Sequence, residues 1–193
     1  MPLLHVVIGS TRPGRVGAPV AEWFVEIARA HGGFDVEVID LAEVALPMLE
    51  EPNHPRLRQY VHQYTKDWGA TVERADAFVI VTPEYNYGYP ASVKNALDHV
   101  YNEWAYAPVG FVSYGGIGAG TRSVQQLKQV VTTLRMVPVF ESVNIPFVGT
   151  LVQDGKLSAS DGMATAARDM LTELQRVESA LHALRRSSVS AAD

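Results

Sequence analysis

Side chains with phosphate-binding chemistry are concentrated in residues 9–17. The segment reads Gly-Ser-Thr-Arg-Pro-Gly-Arg-Val-Gly and follows a short apolar run, Leu3–Ile8. Glycine lets the backbone approach a ligand closely, hydroxyl and amide groups donate hydrogen bonds, and guanidinium groups bind phosphate oxygens in pairs. The segment contains neither the GxGxxG nor the GxxxxGK[ST] nucleotide fingerprint. It therefore favours a terminal monophosphate, although a solvated polar turn after a strand would look the same.

A second candidate segment, residues 82–90, is rich in tyrosine. It reads Thr-Pro-Glu-Tyr-Asn-Tyr-Gly-Tyr-Pro, with tyrosines at 85, 87 and 89, and follows an apolar run at 77–81. Aromatic rings held in a loop between two prolines suit a planar aromatic ligand. The alternative is a rigid turn whose tyrosines pack on a neighbouring helix or subunit.

A third candidate segment, residues 113–122, is rich in glycine. It reads Ser-Tyr-Gly-Gly-Ile-Gly-Ala-Gly-Thr-Arg and follows an apolar run at 109–112. Its backbone amides would be free to stabilise a ring carbonyl that gains negative charge on reduction. A flexible loop is the alternative.

The elements that must position these loops alternate between strand and helix. We predict strands at 3–8, 34–39, 77–81, 109–112 and 137–140 with 143–145, and helices from near 17 and at 57–75, 91–101, 124–134 and 163–184, with a loop at 42–55. Such alternation implies right-handed crossovers and a parallel sheet between two layers of helices. Ligands of these sheets bind beyond the carboxyl ends of the strands, so we expect the three loops to form one site.

The last helix has the most regular pattern. Its apolar residues, from Met163 to Leu184, recur at steps of three and four after a Ser158-x-x-Asp161 capping signal. Two arginines at 185–186 suit the negative end of the helix dipole. We favour packing against the sheet over a coiled coil. We expect residues 1–186 to form one domain and residues 187–193 a flexible tail.

Composition excludes several classes of function. The 193 residues carry 16 Lys and Arg against 21 Asp and Glu, a net charge of −5, which disfavours nucleic acid as a partner. The absence of cysteine excludes disulfides, thiol redox chemistry and iron–sulfur ligation, so redox work would need a bound cofactor. The six histidines lack metal-binding spacing, and we expect no metal site. With no targeting segment and no apolar stretch of about 18 residues, we expect a cytoplasmic protein without a membrane span.

A phosphate cradle, an aromatic edge and a glycine-rich shelf at adjacent strand ends together match flavin mononucleotide (FMN). The remaining alternative is a flavin-free α/β protein that binds another phosphorylated ligand. At this point the sequence resembles the NADPH-dependent FMN reductase family, through Gly9-Ser10-Thr11-Arg12, Pro83-Glu84-Tyr85-Asn86 with Lys94-Asn95-Ala96-Leu97-Asp98, and Ser113-Tyr114-Gly115-Gly116. The resemblance covers about residues 3–150.

The resemblance implies a flavodoxin-like three-layer sandwich with a five-stranded parallel sheet of order 2-1-3-4-5. It also implies non-covalent FMN. The residues it assigns to the phosphate are Ser10, Arg12, Arg15 and Val16. Those it assigns to the flavin, largely through main-chain atoms, are Pro83, Glu84, Tyr85 and Asn86. Those it places at the pyrimidine side are Ser113, Tyr114, Gly115 and Gly116. Many members have serine where this chain has Arg15, so a side-chain contact from Arg15 to the phosphate stays open.

The activity implied is hydride transfer from NADPH or NADH to FMN, followed by reduction of a small-molecule acceptor such as a quinone, an azo compound or free flavin. We expect ping-pong kinetics and no catalytic side chain, with Glu84 binding backbone amides instead of acting as a base. The family also implies a homodimer or homotetramer, with Tyr87, Tyr89, Tyr101 and Trp104 near a subunit boundary. The alternative is a flavodoxin-type electron carrier or a flavin-dependent interaction protein with little NAD(P)H turnover. The modest net charge disfavours it, because carriers depend on a strongly charged docking face.

Overall fold

The structure is a computed structural model that describes residues 1–190. Its strands are β1 (Leu3–Ile8), β2 (Asp35–Asp40), β3 (Ala77–Pro83), β4 (Pro108–Tyr114), β5 (Val137–Ile145), β6 (Val152–Gln153) and β7 (Lys156–Leu157). Its helices are α1 (Gly17–His31), α2 (Leu41–Val44), α3 (Gln63–Arg74), α4 (Ala91–Asp98), α5 (Thr121–Thr133), α6 (Val148–Leu151) and α7 (Asp161–Ser190). Two short 3-10 turns lie at Pro55–Leu57 and Asn102–Trp104.

The main sheet has the order β2-β1-β3-β4-β5 with every pair parallel, which confirms the predicted flavodoxin-like topology. Ile8 at the end of β1 pairs with Asp40 of β2 and with Val81 of β3. Pro83 at the end of β3 pairs with Tyr114 at the end of β4. The register therefore brings the carboxyl ends of four strands to one edge of the sheet.

Helices cover both faces of this sheet. One buried cluster joins the strands to α1 and α7, and the other joins them to α3, α4 and α5. Alternate residues of β1 belong to different clusters, Val6 to the first and Val7 to the second. Burial on both faces explains why β1, β3 and β4 read as continuous apolar runs. No helix within residues 1–190 combines the length and the hydropathy that a membrane crossing requires.

The last helix packs on the sheet, as predicted. Ala167, Met170, Leu171 and Leu174 are completely buried against β-strand residues. The predicted cap at Ser158 is wrong, because the Oγ of Ser160 accepts the hydrogen bond from the Met163 amide at 3.3 Å. The helix continues to Ser190, so the predicted tail is helical over residues 187–190, and residues 191–193 lie outside the described residues.

Arg185 does more than complement a helix dipole. It is 2% exposed, and its guanidinium donates hydrogen bonds to the carbonyl oxygens of Val72, Ala75, Glu103 and Ala105 at 2.5–3.3 Å. These carbonyls belong to the end of α3 and to the turn before β4. Burial lowers the pKa of Arg185 to about 10, so the side chain stays charged at neutral pH. It fastens α7 to the edge of the sheet opposite the candidate site.

Two predicted helices are shorter than expected. The 57–75 prediction is wrong at its start, because Arg58 has a φ of +51° that a helix cannot take, and α3 begins only at Gln63. The predicted 91–101 helix ends at Asp98.

Two elements are additional to the prediction. Part of the predicted 42–55 loop is helical, since the Asp40 carboxylate caps the short α2 by accepting a hydrogen bond from the Ala42 amide at 2.9 Å. The hairpin of β6 and β7 is absent from the prediction.

Candidate functional site

The three predicted loops meet in one cavity of about 180 Å³ at the carboxyl edge of the sheet. We call it the central cavity. Its lining is Arg12, Gly14, Arg15, Val16, Pro83, Glu84, Tyr85, Tyr114, Gly115 and Val148. Most of the predicted site residues are therefore brought together, while Ser10, Asn86, Ser113 and Gly116 lie in the same loops without lining the cavity.

Ser10 and Tyr114 form the buried base of this site. The Tyr114 hydroxyl donates to Ser10 Oγ at 3.0 Å, and both side chains are almost completely buried. Burial raises the pKa of Tyr114 to about 12, so the phenol remains a neutral donor. A Cβ at Gly17 would collide with Ser10 Oγ and would lie 2.8 Å from the Tyr114 hydroxyl. Glycine at this position is therefore what lets the two hydroxyls pack over the start of α1.

The start of α1 is suited to an anion. The helix has no side-chain cap, so the amides of its first turn are left for another acceptor. Arg12 is exposed and forms no ion pair within residues 1–190. A cation beside an uncapped helix N-terminus is a favourable environment for phosphate.

Arg15 has protein partners at the same loop. Its guanidinium pairs with the Asp40 carboxylate at 2.5 Å and donates to the Ser10 carbonyl at 2.7 Å. The side chain thus braces the first loop against the end of β2. Asp40 is absent from the predicted site; the sheet order could have identified it, because β2 ends beside β1.

The second loop is a tight turn. Tyr85 and Gly88 exchange backbone hydrogen bonds at 2.8 and 2.9 Å, and the two residues between them, Asn86 and Tyr87, have φ values of 50° and 68°. Two successive positive φ values characterise the type I′ turns of hairpins. Bulky residues rarely adopt them, and such backbone is concentrated at functional sites. The turn leaves Tyr85 38% and Tyr87 63% exposed.

Glu84 links this turn to α5. Its Oε2 accepts from the Arg122 amide at 3.3 Å, and its Oε1 forms an ion pair with the Arg122 guanidinium. The prediction that Glu84 binds a backbone amide is confirmed. The hydrogen bond that the Arg122 guanidinium donates to Glu84 raises the pKa of Arg122 above its ordinary value. Arg122 is missing from the predicted site residues, although it ends the glycine-rich segment and could have been paired with the nearest carboxylate.

The third loop is held by hydrogen bonds within the loop and to the end of β5. Ser113 Oγ lies 2.8 Å from the Ala119 carbonyl and 2.9 Å from Asn144 Oδ1, so its hydroxyl supports the loop instead of facing the cavity. The Gly115 amide donates to the Ile145 carbonyl at 3.2 Å. Gly116 is open, because a Cβ there would meet nothing within 4 Å.

The predicted subunit boundary needs correction at two aromatic residues. Tyr101 and Trp104 are 9% and 2% exposed, and they pack in the core of their own chain. Tyr101 donates to the Thr133 carbonyl at 3.0 Å and Trp104 to the Leu97 carbonyl at 3.2 Å. Of the four aromatics, Tyr87 is the most exposed, at 63%.

Two other features lie outside the central cavity. A cavity of about 360 Å³ is lined by Thr11, Leu41, Ala42, Ala45, Leu46 and Met48 and by the first turns of α4. Its Asn95 side chain accepts a hydrogen bond from the Leu49 amide and donates one to the Pro47 carbonyl. Asp76, Glu178 and His182 have ligand atoms within 4.8 Å of one another, but Asp76 pairs with Arg186 at 2.7 Å. Neither feature shares a lining residue with the central cavity.

Comparisons with known proteins agree with this geometry. A family model described as NADPH-dependent FMN reductase matches residues 2–150. An NAD(P)H-dependent FMN reductase of Schizosaccharomyces pombe is 42% identical over 149 residues, covering 75% of this chain and 74% of that protein. An NAD(P)H-dependent FMN reductase of Saccharomyces cerevisiae is 35% identical over 158 residues, covering 76% and 82%.

A solved structure supports the fold. The flavoenzyme NAD(P)H:(acceptor) oxidoreductase FerB from Paracoccus denitrificans superposes with a TM-score of 0.73 at 20% identity, covering 93% of this chain and 98% of that one. The matched region, residues 2–150, contains β1–β5 and all three loops. The chain belongs to the NADPH-dependent FMN reductase family, whose cofactor is FMN and whose electron donor is NADPH or NADH.

Proposed function

We propose that FMN binds in the central cavity and that the protein reduces quinones, and related planar acceptors such as azo compounds and free flavin, with electrons from NAD(P)H. The observation that carries this proposal is the convergence of the three loops on one cavity. An anion-binding helix start, two tyrosines and an open glycine backbone lie around it, which are the complements of a phosphate, a planar ring and ring carbonyls.

The residues present fit FMN. The amides at the start of α1 offer donors for a terminal phosphate, as does Arg12, which forms no ion pair with the residues that the structure describes. A Cβ would meet nothing within 4 Å at Gly14 or at Gly116, so the backbone at both positions is open to a ligand. These features lie in the first and third loops, on either side of the tyrosine-bearing turn.

We assign the binding roles from these contacts. Arg12, Val16 and the first turn of α1 hold the phosphate, and Ser10 shapes that pocket from below. Arg15 acts by bracing the loop, since Asp40 occupies its guanidinium. The main chain of residues 83–86 lines the ring. The Gly116 amide is the donor to the pyrimidine edge, because the Gly115 amide is already bonded to the Ile145 carbonyl.

When bound, FMN supplies the redox chemistry, accepting a hydride from NAD(P)H and passing two electrons to the acceptor. The protein contributes binding and orientation. Glu84 is held by Arg122, and Tyr114 stays neutral with a pKa of about 12, so neither is available as a general base. We therefore propose that no side-chain acid or base is required.

The size of the cavity supports ping-pong kinetics. At about 180 Å³ it is smaller than the roughly 300–1,000 Å³ of typical ligand pockets, so it encloses only part of a molecule such as FMN. The remainder would be accessible from solvent. Donor and acceptor would then use the same accessible face in turn.

Steady-state kinetics of the FMN-loaded protein test this proposal. Initial rates with NADPH and a benzoquinone should give parallel double-reciprocal lines, and NADPH alone should bleach the flavin anaerobically until quinone restores it. The same assay with NADH, an azo dye and free FMN ranks donors and acceptors. Intersecting lines would contradict ping-pong kinetics. Negligible bleaching by both nicotinamides would instead support an electron carrier, and a protein that stays colourless with excess FMN would support a different ligand.

We also propose a homodimer or homotetramer. The support is the set of large apolar side chains left exposed in the segment between α2 and α3, namely Met48, Leu49, Leu57 and Val61. Large apolar side chains exposed within one segment are groups that a subunit interface would bury. Sedimentation equilibrium should give a mass of two or four chains of 21.1 kDa, and a concentration-independent monomer would contradict the proposal.

A further inference from the structure

Arg122 connects the two loops that flank the proposed flavin ring. Its guanidinium pairs with Glu84 in the second loop and lies over the Tyr87 ring at 3.9 Å. It also packs directly against Gly118 of the third loop, since a Cβ at Gly118 would collide with the guanidinium. One side chain thus contacts both loops.

The contacts are mutually reinforcing. The Glu84 carboxylate that binds the guanidinium also accepts a hydrogen bond from the Arg122 backbone amide. The carboxylate therefore holds the first turn of α5 as well. Gln126, one turn further along α5, donates to the Tyr87 carbonyl at 2.9 Å. The second loop is thereby fastened to α5 at three atoms, the two carboxylate oxygens of Glu84 and the carbonyl oxygen of Tyr87. A planar guanidinium can pair with a carboxylate and stack on an aromatic ring at once, which a lysine cannot reproduce.

The charges of this pair also matter. The Glu84 side chain is 8% exposed and lines the central cavity, and Arg122 is its ion-pair partner among residues 1–190. Reduction of a flavin adds negative charge at the pyrimidine side of the ring. A carboxylate left unpaired beside that ring would weaken the binding of reduced FMN more than that of oxidised FMN.

We propose that Arg122 is a positioning residue for FMN, which fixes the second loop against the third and neutralises Glu84 beside the ring. The proposal rests on the proposed FMN site. The bridge between the loops determines the affinity for both oxidised and reduced FMN. The charge balance determines the difference between these two affinities. The ratio of the two dissociation constants sets the shift of the midpoint potential of bound FMN from that of free FMN.

Four variants separate the effect of the bridge from the effect of the charge balance. Arg122→Gln removes both the bridge and the positive charge, and Arg122→Lys keeps the charge without the planar contacts. Glu84→Gln removes the negative charge, and the double variant Arg122→Gln with Glu84→Gln removes both charges. The matched control is Arg176→Gln, because Arg176 forms an exposed pair with Glu173 at 2.7 Å on α7, outside the site.

The measurements are the dissociation constant of oxidised FMN and the anaerobic midpoint potential. Arg122→Gln should weaken oxidised FMN about tenfold and reduced FMN about a further tenfold, which is a shift of about 30 mV to lower potential. Arg122→Lys and the double variant should show weaker binding with the potential of the wild type. Glu84→Gln, which leaves the positive charge of Arg122 unopposed, should shift the potential to higher values. Arg176→Gln should change neither quantity.

The outcomes distinguish this inference from the proposed function. If wild-type protein binds no FMN, the proposed function fails first. If wild-type protein binds FMN and Arg122→Gln changes neither affinity nor potential, only the positioning role is wrong. A potential shift of the same size in the double variant as in Arg122→Gln would overturn the charge argument. Thermal unfolding of each FMN-free variant identifies misfolding, and Arg122→Lys, which keeps the charge, tests the bridge if Arg122→Gln does not fold.

Discussion

Replacement of Gly17 by alanine should disturb the proposed phosphate pocket without touching a charged group. The added methyl group would collide with Ser10 Oγ, lie 2.8 Å from the Tyr114 hydroxyl and lie 3.3 Å from Ile8 Cγ2. Overpacking of this kind costs about 1–3 kcal/mol, and loss of the hydrogen bond between the two hydroxyls costs about 0.5–1.5 kcal/mol. Helix propensity returns up to about 1 kcal/mol. We expect the free energy of unfolding to fall by about 2 kcal/mol.

FMN binding should weaken in the same variant, because the displaced Ser10 and Tyr114 side chains form the base of the site. Loss of one well-placed hydrogen bond, about 1.4 kcal/mol, corresponds to a tenfold increase in the dissociation constant. Fluorescence titration of FMN and urea unfolding measure the two effects. Gly149→Ala is the matched control, since a Cβ at Gly149 in α6 meets nothing within 4 Å, and it should alter neither quantity by more than about 1 kcal/mol.

A second substitution tests whether the added methyl group acts by colliding with Ser10 Oγ. Ser10→Ala removes the oxygen that the new methyl group would meet, so Gly17→Ala should cost less in that background than in the wild type. Equal costs in the two backgrounds would show that the methyl group acts by another route. If Gly17→Ala had the same stability and FMN affinity as the wild type, the packing described at the start of α1 would be refuted.

Three further perturbations have defined outcomes. Arg185→Met removes a donor from four buried carbonyl oxygens, of which, among the described residues, only that of Val72 keeps a backbone donor, the Ala75 amide. The substitution should reduce the free energy of unfolding, measured in urea, by about 3–5 kcal/mol and leave FMN affinity unchanged. A loss below about 1 kcal/mol would contradict its fastening role. Tyr114→Phe removes the donor to Ser10 and should weaken FMN about threefold to tenfold in an equilibrium titration, whereas an unchanged affinity would exclude that contact from the site. Burial lowers the pKa of His5 below its ordinary 6.5, so the unfolded chain binds a proton that the folded chain does not. Stability should therefore fall as the pH drops below about 6.5, by up to about 1.4 kcal/mol per pH unit, and His5→Leu should flatten that slope in urea unfolding between about pH 5 and 7.

The sheet and its ligand edge were predictable because strong local patterns agree with a simple topological rule. The run at 77–81 is continuously apolar, as a central parallel strand requires, and the loops that follow β1, β3 and β4 must then share an edge. Most residues assigned to the central cavity follow from that argument. The family resemblance added the particular role of each one.

The features that were not predictable depend on contacts between distant parts of the chain. Arg15 reads as a phosphate ligand until Asp40, 25 residues away, is placed beside it. Arg185 reads as a helix-end charge until four carbonyls from two other segments are brought to it. The break at Arg58 has no local signal of the glycine or proline type, and its guanidinium pairs with Glu73 on α3 at 2.6 Å.

The central claim is that the first loop holds the terminal phosphate of FMN through Arg12 and the start of α1. Comparison of FMN with riboflavin, which lacks the phosphate, tests it directly in equilibrium titrations of wild-type protein and Arg12→Gln. Charge-assisted hydrogen bonds contribute about 1.5–3 kcal/mol each, so two of them should make FMN bind at least about a hundredfold more tightly than riboflavin. Arg12→Gln should weaken FMN about tenfold or more and leave riboflavin unchanged. Equal affinity of the wild-type protein for the two flavins, or an equal loss of both in Arg12→Gln, would contradict the proposed site.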